Sequence, residues 1–535
     1  MMCTSKFKTF LLVSVATALV AMPAFGDDLT FDGDEFGDFS APGMEHLEEF
    51  LADGKALYER RNFEEASLRF FEVLNDFDPG ADAYHPEAEF ELAKTLFRLE
   101  LYQGALGYFG IIALDEFHPF HDAALRGLLL LTDVIPGDAL LREYLASYAG
   151  YFPNAIPEQY RDRFAYLVGR YFYDNLEIDR AIALLDAVRP TSPDYARARY
   201  ITGITHVANY DAAPAVDAFR DVLRFLSSQE TPLSQLRGQE RLLLDLTHLA
   251  MARVYYSTGQ FDTSLSYYNR IPRTSPRWPN ALFESSWGFF QVDEFNQALG
   301  NLHSLNSPFF ADAYFPEGPI LASVIYFYNC NYALVRDTLY DYEFIYTTIR
   351  DDLQDILNEN FTEEEMYKWG VNWRRGEIRG ELETLSALRS ELNDRQLMTR
   401  YELVEAIERE EQVLSKLSSS WQNSLLGASL IQEASLAKGF AITDTGALTR
   451  QRIERVISEI DDLINQQDRI LFEVARAERG EIEADIAAGM LVAGEEGQGA
   501  DLRVSDEDLY WLFDGEYWKD ELGFYFFDIR SECRR

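Results

Sequence analysis

Gly54-Lys-Ala-Leu-Tyr-Glu-Arg-Arg-Asn-Phe-Glu-Glu-Ala-Ser-Leu-Arg-Phe-Phe-Glu-Val-Leu74 reads as two short amphipathic helices meeting at Arg61-Asn62. Gly54 falls on the first helix and Ala66 on the second, twelve positions apart. Small residues at those points let two helix backbones approach closely, with Phe63 and Phe70 filling the space around the contact. The same pair recurs as Ala93/Ala105, Gly127/Ala139, Gly169/Ala181, Gly203/Ala215, Ala252/Ser264, Ser286/Ala298 and Ser323/Val335. Three of the steps between neighbouring first members, 93 to 127, 169 to 203 and 252 to 286, equal 34 residues.

Aromatic residues keep the same register. Phe63, Tyr102, Phe261, Phe295 and Tyr332 each lie three before the second small residue. Phe70, Phe109, Phe219 and Tyr268 lie four after it, one helical turn on. The repeats around Gly127 and Gly203 are the least regular. Pro86, Pro157, Pro193, Pro276 and Pro316 fall near the start of a first helix, where a missing N–H is tolerated.

A 34-residue period of helix–turn–helix units resembles the tetratricopeptide repeat family. The best single match is Ala252-Arg-Val-Tyr255-Tyr-Ser-Thr-Gly259-Gln-Phe261-Asp-Thr-Ser264-Leu265, and the resemblance covers residues 44–345. It departs from the family pattern at turns where Arg61, Glu100 or Asp293 replaces the usual glycine. The expected fold is all-α: a right-handed superhelical solenoid followed by a long coiled helical hairpin and an aromatic C-terminal tail.

Residues 1–26 read as a secretory signal peptide: Lys6 and Lys8, an apolar run from Phe10 to Val20, and small residues at Ala24 and Gly26. Cys3 precedes the apolar run, so it is not placed as a lipid-attachment cysteine. Residues 27–43 form an acidic leader; an EF-hand starting at Asp32 fails, because Phe36 and Gly43 occupy ligand positions. Beyond the leader, Leu321–Tyr328 is the nearest approach to a membrane span and is far too short.

The formal charge of the 535-residue chain is −42. Such a surface repels nucleic acid and anionic membranes and favours cationic or neutral partners. Cys330 and Cys533 remain after residue 26, and an exported compartment permits a bridge between them, two separate thiols being the competing reading.

Residues 346–492 change character. Leu385, Leu392, Leu403, Ile407 and Leu414 suggest one long helix. Ile453, Ile457, Ile460, Ile464, Leu471 and Val474, with Gln467 as polar member, form a heptad seam on another. A loop around Gly439–Gly446 would join them into an antiparallel hairpin, with self-association through the seam as the alternative. Residues 493–504 read as a linker and 505–535 as the aromatic tail, expected to pack on the helices.

No catalytic arrangement survives inspection, and no cofactor or metal is expected. G-x-S-x-G, H-E-x-x-H and G-x-x-x-x-G-K are all missing from the chain. His118 and His121 flank Pro119 without a third ligand. The resemblance instead implies a concave groove, lined six and three before and one and four after each first small residue. That selects Arg163, Tyr166, Arg170 and Tyr173, then Arg197 and Tyr200, Arg253 and Tyr256, and Phe283, Trp287 and Phe290. Basic and aromatic side chains in an acidic protein suit a carboxylate-bearing or aromatic-rich peptide. The same residues serve equally in local ion pairs and packing.

The reading that follows is a non-enzymatic scaffold of the periplasm or cell envelope, partnered by other envelope proteins. Its tail, with Asp514-Gly-Glu-Tyr-Trp-Lys-Asp-Glu-Leu-Gly-Phe-Tyr525, resembles the ends of repeat proteins linked to gliding motility. A glycan- or nutrient-binding repeat protein, stacking sugars on Trp287 or Trp518, is the alternative. An enzyme built around a helical array would need a catalytic domain, for which 346–490 leaves little room.

Overall fold

The computed structural model describes residues 45–533 apart from 79, 136, 155, 230–231 and 489–512. The expected leader segments and linker, and the tail before residue 513, lie outside the described residues. Among these the chain is all-α with no strand, a helical-repeat fold. The described residues divide into two compact units, one of 45–231 with 395–447 and one of 232–394 with 448–533.

The first unit stacks five hairpins: α1 (Glu45–Glu59) and α2 (Phe63–Leu74), α3 (His85–Arg98) and α4 (Tyr102–Leu114), α5 (His121–Leu131) and α6 (Ala139–Ser147), α7 (Glu158–Asp174) and α8 (Ile178–Leu185), α9 (Tyr195–Ala208) and α10 (Ala212–Ser227). The second stacks three: α11 (Gly238–Ser257) and α12 (Phe261–Tyr268), α13 (Trp278–Gln291) and α14 (Phe295–Leu305), α15 (Glu317–Tyr328) and α16 (Tyr332–Asn358). Within each unit, each of these helices packs on the next in sequence.

Seven of the hairpins turn in one way. Arg61, Glu100, Leu176, Tyr210, Gly259, Asp293 and Cys330 have φ between 60 and 75°. Each lies seven after the first small residue of its pair. The following N–H reaches back five residues, as in Asn62 to Leu57 at 2.9 Å and Asn331 to Tyr326 at 3.0 Å, and satisfies a carbonyl the helix would leave open. Six of the seven are not glycine, so the departures from the glycine pattern keep its backbone geometry.

The turns set the small-residue contact. The second members Ala66, Ala105, Ala181, Ala215, Ser264, Ala298 and Val335 are fully buried, and Ser264 Oγ donates to the carbonyl of Ala252, its own pair member, at 2.8 Å. Opposite Gly54 and Gly203 lie the rings of Phe70 and Phe219; a Cβ would meet them at 2.6 and 2.4 Å. The hairpin at Gly127 differs. Its turn runs on to Gly137, Asp138 caps α6 through the N–H of Leu141 at 3.0 Å, and Ala139 opens the helix exposed. The Gly203 hairpin, by contrast, is regular.

The region after α16 corrects the expected hairpin. α16 runs past residue 345 to Asn358, followed by α17 (Glu363–Arg374), α18 (Leu382–Leu392), α19 (Arg395–Leu414), α20 (Ser419–Gln422) and α21 (Leu425–Ala488). Gly439–Gly446 is helical, inside the 64-residue α21, and the reversal falls at 415–424. Neither glycine there is followed by a proline or set in a turn, so helix propagation carries through them.

In the first unit α19 and the start of α21 run antiparallel, tied by Arg400–Asp444 at 3.1 Å and Lys438–Glu411 at 2.7 Å. The pair docks on the repeats. Trp421, fully buried, donates its indole N–H to Ser67 Oγ at 2.9 Å, and Leu430 lies against Gly104. In the second unit the rest of α21 runs antiparallel to α16, through Arg336–Glu478 at 2.5 Å and Gln467 Nε2 donating to Glu343 at 3.1 Å. Ile453, Val456, Ile460, Leu463, Gln467 and Val474 are buried there. Ile457, Ile464 and Leu471 sit beside this seam half-buried. The seam is thus filled within the chain.

The tail packs on the second unit. Phe513, Tyr517 and Tyr525 surround His303 with ring centroids at 4.5, 5.0 and 5.1 Å. Leu522 enters the core with Trp278 and Leu282. Gly523 N–H donates to Ser304 Oγ at 2.9 Å and Phe527 N–H to the Asn296 carbonyl at 3.2 Å, so the tail runs antiparallel along α14. The Cys330 and Cys533 sulfurs are bonded at 2.00 Å.

Candidate functional site

The eleven residues placed in a groove from the sequence separate into four groups. The first kind closes hairpins. Tyr256 and Phe290 lie four after the first small residue of their pairs, and their rings meet Phe261 and Phe295, the first aromatics of the following helices, at 5.4 and 5.9 Å. Tyr58–Phe63, Phe97–Tyr102 and Phe327–Tyr332 repeat the arrangement at 5.2, 5.4 and 5.9 Å. This position clamps the turn. Burial raises the Tyr256 phenol, against a hydrogen bond with Gln291.

The second kind is buried. Tyr166 is 7% and Tyr200 2% exposed, in the packing between helices, so neither offers a ring face to a partner. Arg253 and Glu284 form a two-pronged pair at 2.7 and 2.5 Å, and Tyr268 Oη donates to Glu284 at 3.1 Å. A carboxylate desolvated this far needs all three donors, which commits Arg253 to its neighbour. These residues were selected because groove and core positions alternate on one helix face, and a shift of under one turn exchanges them.

The third kind is half-exposed. In the second unit Phe283 lies 5.2 Å from Phe315, and Trp287 lies edge-on to Phe290 at 6.1 Å. In the first unit Arg163 pairs with Asp133 and donates to Thr132 Oγ1 at 3.0 Å, while Arg197 meets Asp194 at 3.5 Å.

Arg170 and Tyr173, on the last two turns of α7, differ from these. Arg170 hydrogen-bonds to Tyr166 and is in no ion pair with a described residue. Burial would lower its pKa, but Tyr166, Asp174 and Tyr173 together hold it above the usual value. Burial, and then Asp174, push the Tyr173 phenol up to about 12. Asp174 is itself raised by burial despite Arg170 and Arg142, and Arg142 Nη1 stands 3.4 Å from it. Tyr173 has no aromatic clamp partner, because Ile178 opens α8. The α7 end therefore presents guanidinium and phenol groups suited to a carboxylate or a backbone carbonyl.

His118 and His121 have structural partners: His118 Nε2 lies 3.2 Å from Glu89, and His121 stacks on Tyr148 at 4.3 Å. Among the described residues no nucleophile stands beside a base at the α7 end.

No family model and no curated protein matches the chain. Among solved structures it is similar to a tetratricopeptide repeat protein from Parabacteroides merdae, at 12% identity over 56% of this chain and 93% of that one, with a TM-score of 0.26. The tetratricopeptide domain of P58(IPK) matches at 12% identity over 74% and 99%, TM-score 0.18. A circular tandem repeat protein with novel repeat topology matches at 12% over 84% and 98%, TM-score 0.12.

Proposed function

We propose that this protein is a non-enzymatic scaffold of the periplasm or cell envelope. It holds an envelope protein on its repeat hairpins, with the end of α7 as a contact. The observation that carries the reading is Arg170: a guanidinium in a chain of net charge −42 that hydrogen-bonds to the Tyr166 phenol and, although Asp174 acts on it, makes no direct ion pair with a described residue. Arg163 and Tyr173 extend the contact along the same helix, and a carboxylate-bearing segment is the partner chemistry it suits. The signal-like residues 1–26 and the Cys330–Cys533 bridge support export to an oxidising compartment.

The test is crosslinking in the native cell with wild type and an Arg163→Glu/Arg170→Glu variant. Capture of a discrete envelope protein should fall about ten-fold while the melting temperature drops by only a few degrees. Undiminished capture removes α7 as the contact. Recovery only from the cytoplasm removes the envelope assignment.

A further inference from the structure

In the second unit four helices bring carboxylates and phenols together. Glu317 opens α15, Glu391 lies on α18, Glu459 on α21, and Tyr342 and Tyr346 are one turn apart on α16. Tyr314 precedes α15. The rings of Tyr342 and Tyr346 stack at 4.3 Å, and that of Tyr314 lies 6.3 Å from Tyr346. Glu459 influences all three phenols, and Glu317 influences Tyr342.

The charges do not cancel. Glu391 faces Arg455 at 3.8 Å. Glu284, which also acts on Glu317, is held by Arg253. Arg455 also acts on Glu459, against burial and the neighbouring carboxylates, so one guanidinium answers three carboxylates, and Glu317 is in no ion pair with a described residue. Burial and then neighbouring carboxylates raise both, Glu459 to about 7.

The hydroxyls are unanswered as well. Tyr342 is 1% exposed, and its Oη, like that of Tyr314, is buried with no hydrogen-bond partner among the described residues. A buried polar group left this way loses its hydration with no hydrogen bond in return and calls for a bound donor or acceptor. Two carboxylates accept hydrogen bonds, two phenol oxygens accept them, and ring faces attract positive charge. All three point to one complement, a positively charged N–H donor. Among the described residues no group of three or more His, Cys, Asp or Glu is arranged to hold a metal ion.

We propose that Glu317, Glu459, Tyr314, Tyr342 and Tyr346 form a site for an alkylammonium group, carried either by a small amine or by a lysine of a partner chain. The site lies in a different unit from α7 and stands whether or not α7 holds a partner.

The full chain, labelled with 13C at tyrosine Cζ, is titrated with n-butylammonium chloride, with sodium chloride at equal ionic strength as control, since any cation collects on so acidic a surface. A saturable shift confined to Tyr314, Tyr342 and Tyr346, weakened at least about ten-fold in Glu459→Gln, is expected. Equal shifts with sodium chloride, or unchanged affinity in Glu459→Gln, overturn the proposal. Should that variant fail to fold, Tyr342→Phe, which removes one oxygen, serves instead; unaltered binding there overturns it equally. A capped Gly-Lys-Gly peptide separates the sources: tighter binding than n-butylammonium assigns the site to a partner's lysine, weaker binding to a free amine, and binding of neither refutes it.

Discussion

Glu410 holds a carboxylate, 5% exposed, against the start of α4, where it accepts from the N–H of Gln103 at 2.9 and 3.1 Å and from those of Tyr102 and Gly104. The open N–H groups of a helix N-terminus favour an anion, yet burial dominates and pushes Glu410 up to about 7. The folded-state value lies above the ordinary glutamate value that an unfolded chain would show, so the native state binds the proton more tightly between the two. Its contribution is full below the lower value, falls as pH rises, and is lost above the upper one. The swing is about 3 kcal/mol. Glu410→Gln keeps an acceptor and removes the titration, so its urea midpoint should vary less between pH 5 and pH 8 than that of wild type. Parallel pH profiles for the two proteins would refute this role. Glu410 could not be found in the sequence, where it is one of 90 acidic residues, because only docking of α19 gives it a partner. Arg170 could be found, because the repeat register indexed its position. Tyr166 and Tyr200 were indexed by the same register, and packing between hairpins buried them.

Turn chemistry decides matters at the level of elements. Leu176 and Tyr210 hold φ of 61 and 63° while 79% and 78% exposed, so their side chains contribute little packing to offset a left-handed backbone. Leu176→Gly and Tyr210→Gly should each raise the unfolding free energy by about 0.5–1 kcal/mol, read as a higher urea midpoint at constant slope. Gly259→Ala should lower it by about 1 kcal/mol, because alanine at φ 75° meets the strain that glycine avoids. Opposite signs for these substitutions would show that the turns do not limit stability. The helices and their pairing were legible because a small residue every hairpin and an aromatic one turn later is a long-range regularity. The run through Gly439–Gly446 was misread as a loop, since two glycines and a threonine pair lower local helix propensity without breaking a helix held by neighbours on both sides.

At the scale of the molecule, the tail joins the second unit both by packing and covalently. The Cys330–Cys533 bridge closes a sequence separation of 203 residues, which restricts the unfolded chain strongly. Cys330→Ser should cost about 2–5 kcal/mol in the unit that holds it. It should also make residues 513–533 an early site of proteolysis. An unchanged denaturation profile on adding reductant would argue against a bridge in solution. Residue 300 offers a covalency-independent probe: a Cβ on Gly300 would fall 1.7 Å from the Tyr525 carbonyl oxygen, so Gly300→Ala should loosen the tail with the bridge intact.

By itself the sequence determined the helical class, the hairpin repeat and the two cysteines able to meet, because each is a local or periodic property of the chain. Only tertiary structure decided which aromatics clamp turns and which arginines are already paired. It also decided that α21 is one helix and where Glu317 and Glu459 find each other. Those outcomes depend on contacts between residues far apart in the chain, and whether a charge is desolvated or a ring is covered is a property of its neighbours, which no spacing along one strand of sequence encodes.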